Sequence, residues 1–278
     1  MKKQFYRNVA YKIRSNWFRK TWLRFFYSKH GLKFSDIKSY HADRYFIFRV
    51  NDIYIPSDLI DWPLSYDQLY KKALNESLFF YRCKEGDCAV DIGAGLGEET
   101  LVYSRMVGPG GKVFSIEAST AAFEVLDNVV KLNKLENARA FNMAVYKSNG
   151  SVTMEGDNFS YQVGFIKEDE NSGNKIQAIR MSDFISSMGI DRIDLLKVNI
   201  EGAERYVIET LLDEQVENIR HVAIACHDFR FRKEGVEFFK TRELVENYLT
   251  GKGFEIQSRN TGVDYLDDWV YGKNKRFQ

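Results

Sequence analysis

The stretch "CAVDIGAGLGEET", residues 88–100, places Gly93, Gly95 and Gly97 directly after a short apolar run, with Asp91 two residues before the first glycine. An uninterrupted apolar run of this length reads as a strand buried on both faces. Glycines between such a strand and a helix mark a turn whose backbone must come close to something. In open α/β sheets this turn stands at the carboxyl end of a strand, where ligands bind, so the spacing predicts a nucleotide-like ligand against the backbone. A dinucleotide site is expected to read G-x-G-x-x-G, whereas this turn reads G-x-G-x-G behind an acid. A pyrophosphate gains nothing from that carboxylate; a ligand with a sulfonium or an ammonium group does.

Strand and helix signals alternate onward from this turn. "KVFSIEA" reads as a strand, "TAAFEVLDNVVKLN" as a helix and "ARAFN" as a strand. After an irregular middle, "IDLLKVNI" leads to "AERYVIETLLD" and "HVAIACHD" to "TRELVENYLTGKG", and "FEIQS" and "DWVYGK" close the chain. The expected fold is α/β, a mostly parallel sheet with helices on both faces. Glu117 falls at the end of the second strand, twenty residues beyond Gly97. A carboxylate there can accept both hydroxyls of an adenosine ribose. Together with D-x-G-x-G-x-G it points to S-adenosylmethionine, which carries a sulfonium, an ammonium and a ribose.

The segments Asp91 to Gly97, Glu117, "LNKLENARAFNMAVYKSNG" and above all "IDLLKVNIEGAERYVIETLL" resemble the FkbM-type S-adenosylmethionine-dependent methyltransferases, in order and spacing from roughly residue 85 to residue 257. The resemblance implies a Rossmann-like class I methyltransferase fold with a seven-stranded sheet. It also implies methyl transfer to a hydroxyl of a sugar, a glycan or a glycosylated natural product. On this reading Asp91, Gly93, Ala94, Gly95 and Gly97 cradle the methionine part, Glu117 and Ala118 face the ribose, and Asn142, Met143 and Ala144 surround the adenine. The family pattern usually has Asp where this chain has Asn199. By strand alternation Lys197, Asn199 and Glu201 share a face near the strand's carboxyl end, and His227 closes the neighbouring strand.

An amide does not take up a proton, so Glu201 or His227 is expected to accept it. Lys197 either orients Asn199 and the acceptor or forms a structural salt bridge, and Glu201 has the alternative of capping the following helix. Glu201, His227 and Asp228 are too mixed and too widely spaced to assign a metal. The reading in a different class is a non-catalytic partner or membrane-recruitment protein that keeps the fold after losing its base.

Length and charge bound the remainder. The chain of 278 residues is long enough for one enlarged domain or a domain with an appendage. Residues 1–31 hold nine Lys or Arg and no Asp or Glu, leaving 31 basic against 39 acidic residues beyond them. Phe5, Val9, Ile13 and Trp17, then Trp22, Phe25 and Phe26, fall at helical spacing among these cations. This basic amphipathic arm is expected either to lie on an anionic membrane surface or to dock on protein, and the acidic body argues against nucleic acid. "DRYFIFRVNDIYIPSD" reads as two strands around Asn51-Asp52 with Pro56 as breaker. The expected organisation is therefore an arm over 1–31, a β-hairpin annex over 32–64 and the methyltransferase domain over 65–278. "SYDQLYKKALNESLFFYRC" reads as a helix leading into the glycine turn, and "KEDENSGNK", 167–175, as a charged loop. No run of roughly 18 uncharged apolar residues and no secretory signal core of about 7–15 residues is found. Cys83, Cys88 and Cys226 form neither a disulfide framework nor a metal spacing. A cytoplasmic protein, peripheral on the inner membrane face if the arm binds lipid, is the expectation, and self-association is left open.

Overall fold

The computed structural model describes residues 16–60, 64–155, 165–167 and 175–277. Most of the basic arm, residues 1–15, and the interior of the charged loop, 168–174, lie outside the described residues. Helix α1 (Asn16–Ser28) buries Arg19, Leu23, Phe26 and Tyr27, which recur at the spacing of one helical face. That face covers strand β1 (Phe34–Tyr40), with the Tyr27 ring 5.2 Å from that of Phe34. β1 pairs with β2 (Tyr45–Val50), and β2 with β3 (Ile53–Ser57), all antiparallel. Asn51 and Asp52 link β2 to β3 with φ of 49° and 62°, the conformation of a two-residue primed turn.

The annex thus has three strands where the sequence suggests two. β1 escapes notice because its register breaks between Phe34 and Asp36, which spoils the alternation. Pro56, expected to break the strand, lies inside β3 opposite Ile47. β3 is an edge strand, where a residue without an N–H is tolerated.

Helix α2 (Tyr66–Asn75) opens with a reciprocal cap. The Ser65 hydroxyl accepts from the Gln68 N–H, and the Gln68 side chain accepts from the Ser65 N–H. The central sheet then begins with β4 (Cys88–Ile92), helix α3 (Glu98–Val107), β5 (Lys112–Glu117), helix α4 (Thr120–Leu132) and β6 (Ala138–Asn142). A second, small sheet follows: β7 (Ala144–Val145), β8 (Gly150–Glu155), β9 (Phe165–Lys167) and β10 (Lys175–Ile179), in the order β7-β10-β8-β9. It occupies the stretch expected to be irregular, since its strands are too short to carry a clear period.

The chain returns to the central sheet through α5 (Met181–Met188), β11 (Ile193–Val198), α6 (Glu204–Thr210), α7 (Asp213–Glu217) and β12 (Ile219–Ala225). It ends with α8 (Asp228–Glu234), α9 (Arg242–Gly251), β13 (Phe254–Gln257), α10 (Asp264–Asp267) and β14 (Trp269–Asn274). The seven strands run β13-β14-β12-β11-β4-β5-β6, with β14 antiparallel to both neighbours and β4, β5, β6, β11 and β12 parallel. β11 is buried along its whole length, as both faces of the sheet are covered. Ala89, Leu195 and Ala223 face an apolar core continuous with Leu23, Phe48 and Leu101, while Val90, Leu196 and Val222 face a second core with Phe184 and Val245.

At two of the three motif glycines, what the backbone approaches is the protein itself. A Cβ on Gly93 would lie 2.0 Å from the Asn199 carbonyl oxygen, and one on Gly97 2.9 Å from Leu126 Cδ1. Both have left-handed φ, 76° and 96°. Gly93→Ala is expected to destabilise the fold by about 2–4 kcal/mol, from overpacking added to left-handed strain. Urea denaturation checks this; an unchanged midpoint would show that the β4 turn and the segment after β11 can separate without cost.

Candidate active site

Two adjoining cavities open at the carboxyl ends of β4, β5 and β11. One is an apolar slot walled by Ile92, Ile116, Ala118, Met143, Val145 and Phe238. The other is a wider, charged cleft, lined by Gly95, Glu76, Glu98, Glu99, Lys197 and Arg230 among others. Gly93, Glu117, Asn199 and Glu201 line both and form the junction.

Register decides the central ion pair. β11 pairs with β4 so that Lys197 stands beside Asp91. Lys197 Nζ lies 2.8 Å from Asp91 Oδ1, 3.0 Å from Glu99 Oε2 and 2.9 Å from the Gly93 carbonyl oxygen to which it donates. The Lys197 and Asp91 side chains are 2% and 0% exposed. Burial disfavours the ammonium, but Asp91 and Glu99 outweigh it and raise the Lys197 pKa. Asp91, expected to face the cofactor, is therefore spent on this pair and on a hydrogen bond from Thr100. The physical reason is that a carboxylate buried in a parallel sheet needs a cation beside it.

Glu117 sits differently. Its Oε2 accepts from the Gly95 N–H at 2.9 Å and its Oε1 from the Ser119 N–H at 2.7 Å, so each oxygen keeps acceptor capacity at the junction. Burial pushes its pKa up to about 7. Gly93, Ala94, Gly95, Ala118, Met143 and Ala144 also line the two cavities. Asn142 instead clasps backbone: its Nδ2 donates to the carbonyls of Glu117 and Ala118. Gly97 serves packing against Leu126.

Past β11 the charges are compensated pair by pair. His227 is 4% exposed, with Nδ1 2.9 Å from Glu204 Oε1 and Nε2 3.5 Å from Glu201 Oε1. Burial lowers its affinity for a proton, but Glu204 and Glu201 reverse that and push its pKa up to about 10. Arg230 donates to Glu201 Oε2 at 2.7 Å. Despite burial, His227 and Arg230 lower the Glu201 pKa. Sequence reasoning missed both Glu204 and Arg230. Glu204, fully buried, accepts from the Gly202 N–H and from the Thr241 hydroxyl, and no side chain caps the helix that it opens. An acid in the first turn of a helix was the signal that could have found it. Asn199 lies at the junction, and its N–H donates to the Ile92 carbonyl at 2.9 Å.

A seven-stranded sheet with this strand order, and a slot and cleft at the carboxyl ends of its parallel strands, defines a class I methyltransferase fold. Residues 91–256 match the methyltransferase FkbM domain, and the chain belongs to that family. It is 27% identical over 199 residues to Methyltransferase sdnD of Sordaria araneosa, covering 60% of this chain and 73% of that protein. Methyltransferase 1 of Beauveria bassiana is 24% identical over 188 residues, covering 60% and 72%. The crystal structure of the FkbM methyltransferase from Methylobacillus flagellatus aligns with a TM-score of 0.50 at 17% identity, a likeness of fold, over 75% of this chain and 48% of that one. The chain thus spans about half of that solved relative. The cofactor is S-adenosylmethionine.

Lys197→Met leaves Asp91 and Glu99 buried without their cation, and is expected to cost about 3–5 kcal/mol. Thermal unfolding measures it, and adding Asp91→Asn should recover part of the loss. No recovery in the double variant would mean that the two side chains do not act as a pair.

Proposed function

We propose that the chain transfers a methyl group from S-adenosylmethionine to a hydroxyl of a sugar, a glycan or a glycosylated natural product, and does so by positioning rather than through a strong base. The observation that carries this reading is the junction, where an apolar slot meets a polar cleft at Glu117 and Asn199. The residues fit the cofactor. Ile92, Ile116, Ala118, Met143 and Phe238 suit a flat apolar base, and the oxygens of Glu117 suit two ribose hydroxyls. The backbone at Gly93–Gly95 and the acids of the cleft suit a cationic amino-acid end. When bound, the cofactor supplies an electrophilic methyl group on a sulfonium.

The chain's own residues then have defined tasks. The Asn199 amide oxygen accepts the acceptor's O–H and aims its oxygen, without removing the proton. His227 already holds its proton in the neutral range and so does not serve as base, while Glu201, held ionised by two cations, is a weak one. A weak acceptor suffices, because an alkylated hydroxyl oxygen becomes strongly acidic, and alignment supplies more acceleration than proton removal. The ring of Phe229 suits an acceptor with one flat apolar face. Free thiols at Cys83, Cys88 and Cys226 accord with a reducing cytoplasm. The compensated charges around Glu201 also favour a second reading, a partner protein that binds the cofactor without turnover.

Labelled methyl transfer to a panel of hydroxylated acceptors tests this. Asn199→Ala is expected to lower kcat about 10–100-fold while leaving S-adenosylhomocysteine affinity within about twofold. Tight binding with no acceptor methylated, by the wild type or by Asn199→Asp, would favour the partner reading.

The titration of Glu117 gives an independent check on the ribose assignment. Ionised carboxylate accepts hydroxyl donors better than its protonated form, so affinity should rise as pH increases through about 7. Calorimetry from roughly pH 6 to pH 8 should show that rise, and Glu117→Gln should flatten it. A pH-independent wild type would remove the ribose from Glu117.

A further inference from the structure

We propose that the outer face of helix α1 is a docking surface for an anionic lipid bilayer. The helix buries Arg19, Leu23, Phe26 and Tyr27 on the annex, and its opposite side presents Trp17, Phe18 and Phe25, which are 67%, 61% and 61% exposed. At 100° per residue these three rings span about a quarter of the helix circumference, centred away from the buried face. Single exposed aromatics need no explanation, but three on one stripe of a short helix form a patch.

Arg19 and Lys20 pair with Asp43 and Asp36 of the annex, and Arg24 donates to the Ser35 carbonyl at 3.5 Å. Arg24 and Lys29 have no carboxylate partner among the described residues, and the Lys29 ammonium lies over the Phe25 ring at 4.3 Å from its centroid. Lys2, Lys3, Arg7, Lys12 and Arg14 precede the helix in the sequence with no acid among them. Aromatic rings flanked by ammonium and guanidinium groups match a headgroup boundary with negative charge, where rings sit at the interface and cations remain in water. The inner face is committed to the annex and the outer face is left for a partner, which is the orientation an interfacial helix requires. No helix among the described residues is long and apolar enough to cross a bilayer, so the contact is one of lying on the surface.

A second copy of the chain fits the patch less well. A helix of 13 residues is about 20 Å long and about 10 Å wide. One side of it offers on the order of 200 Å², well below the ~800 Å² per partner of a stable interface. Two such arms would also meet as like charges, nine cations each. A nucleic acid would be repelled by the acidic excess of the body.

Flotation of the full chain with vesicles of phosphatidylcholine alone, or with about a third phosphatidylserine, tests the proposal. Binding is expected with the anionic vesicles only, and is expected to fall at least fivefold as salt rises from about 0.05 M to 0.5 M. The triple variant Trp17→Ser, Phe18→Ser, Phe25→Ser should lose at least tenfold in partitioning, with unchanged unfolding temperature and S-adenosylhomocysteine affinity. The preserved affinity keeps this result separate from the assignment of the active site. Equal binding to neutral and anionic vesicles, full binding by the triple variant, or no binding to either vesicle would overturn the proposal. So would a wild-type dimer that the triple variant abolishes, or capture by single-stranded DNA in preference to anionic vesicles.

Discussion

The architecture of the site depends on one buried ion pair. Lys197 and Asp91 come from strands 106 residues apart in sequence, brought side by side by parallel register. The ammonium also binds Glu99 at the head of α3 and the Gly93 carbonyl in the turn between them. One nitrogen thereby ties together the strand, the glycine turn, the following helix and the neighbouring strand. Taking two charges out of water is costly, and the arrangement is sustained because the ammonium meets three oxygens at hydrogen-bonding distance. The close contact of Gly93 with the Asn199 carbonyl belongs to the same construction, since any side chain there would push apart the elements that Lys197 holds.

With Asp91 so committed, the remaining charges divide into those that hold structure and those that face ligand. His227 lies between Glu204 and Glu201, and Arg230 braces Glu201 from the other side, so this group presents a fixed carboxylate rather than a titrating base. Glu201 itself has a φ of 53°, a left-handed conformation unusual for a residue with a side chain. The surrounding contacts fix that geometry: Glu204 accepts from the Gly202 N–H and Phe238 packs against Gly202. What remains at the junction is one carboxylate that titrates near neutrality, Glu117, and one uncharged amide, Asn199.

Much of this fold was legible in the sequence, because buried parallel strands and amphipathic helices have distinct periods. The glycine turn and the strand-end acid Glu117 could be placed from local spacing. The partner of Asp91 could not, since strand register is a long-range property and 106 residues of chain intervene. The sequence offered Lys197 a structural salt bridge without naming a partner and assigned Asp91 to the cofactor. Arg230 was hidden for the same reason, as its task exists only once α8 and the segment after β11 are assembled. The small sheet beside the slot was missed because strands such as Ala144–Val145 and Phe165–Lys167 are too short to carry a period.

Asn133, at the carboxyl end of α4, has a consequence for how the chain comes apart. Its amide accepts from the Tyr54 N–H at 2.9 Å and donates to the Tyr54 carbonyl at 2.7 Å, a two-way clasp between annex and body. The apolar core beneath runs without a break from Phe48 to Val125. Opening the annex would expose both the clasp and that shared interior at once. The annex and the sheet that bears the site therefore form one cooperative unit, melting in a single transition, and the backbone amides of β2 exchange with solvent as slowly as those of the central strands.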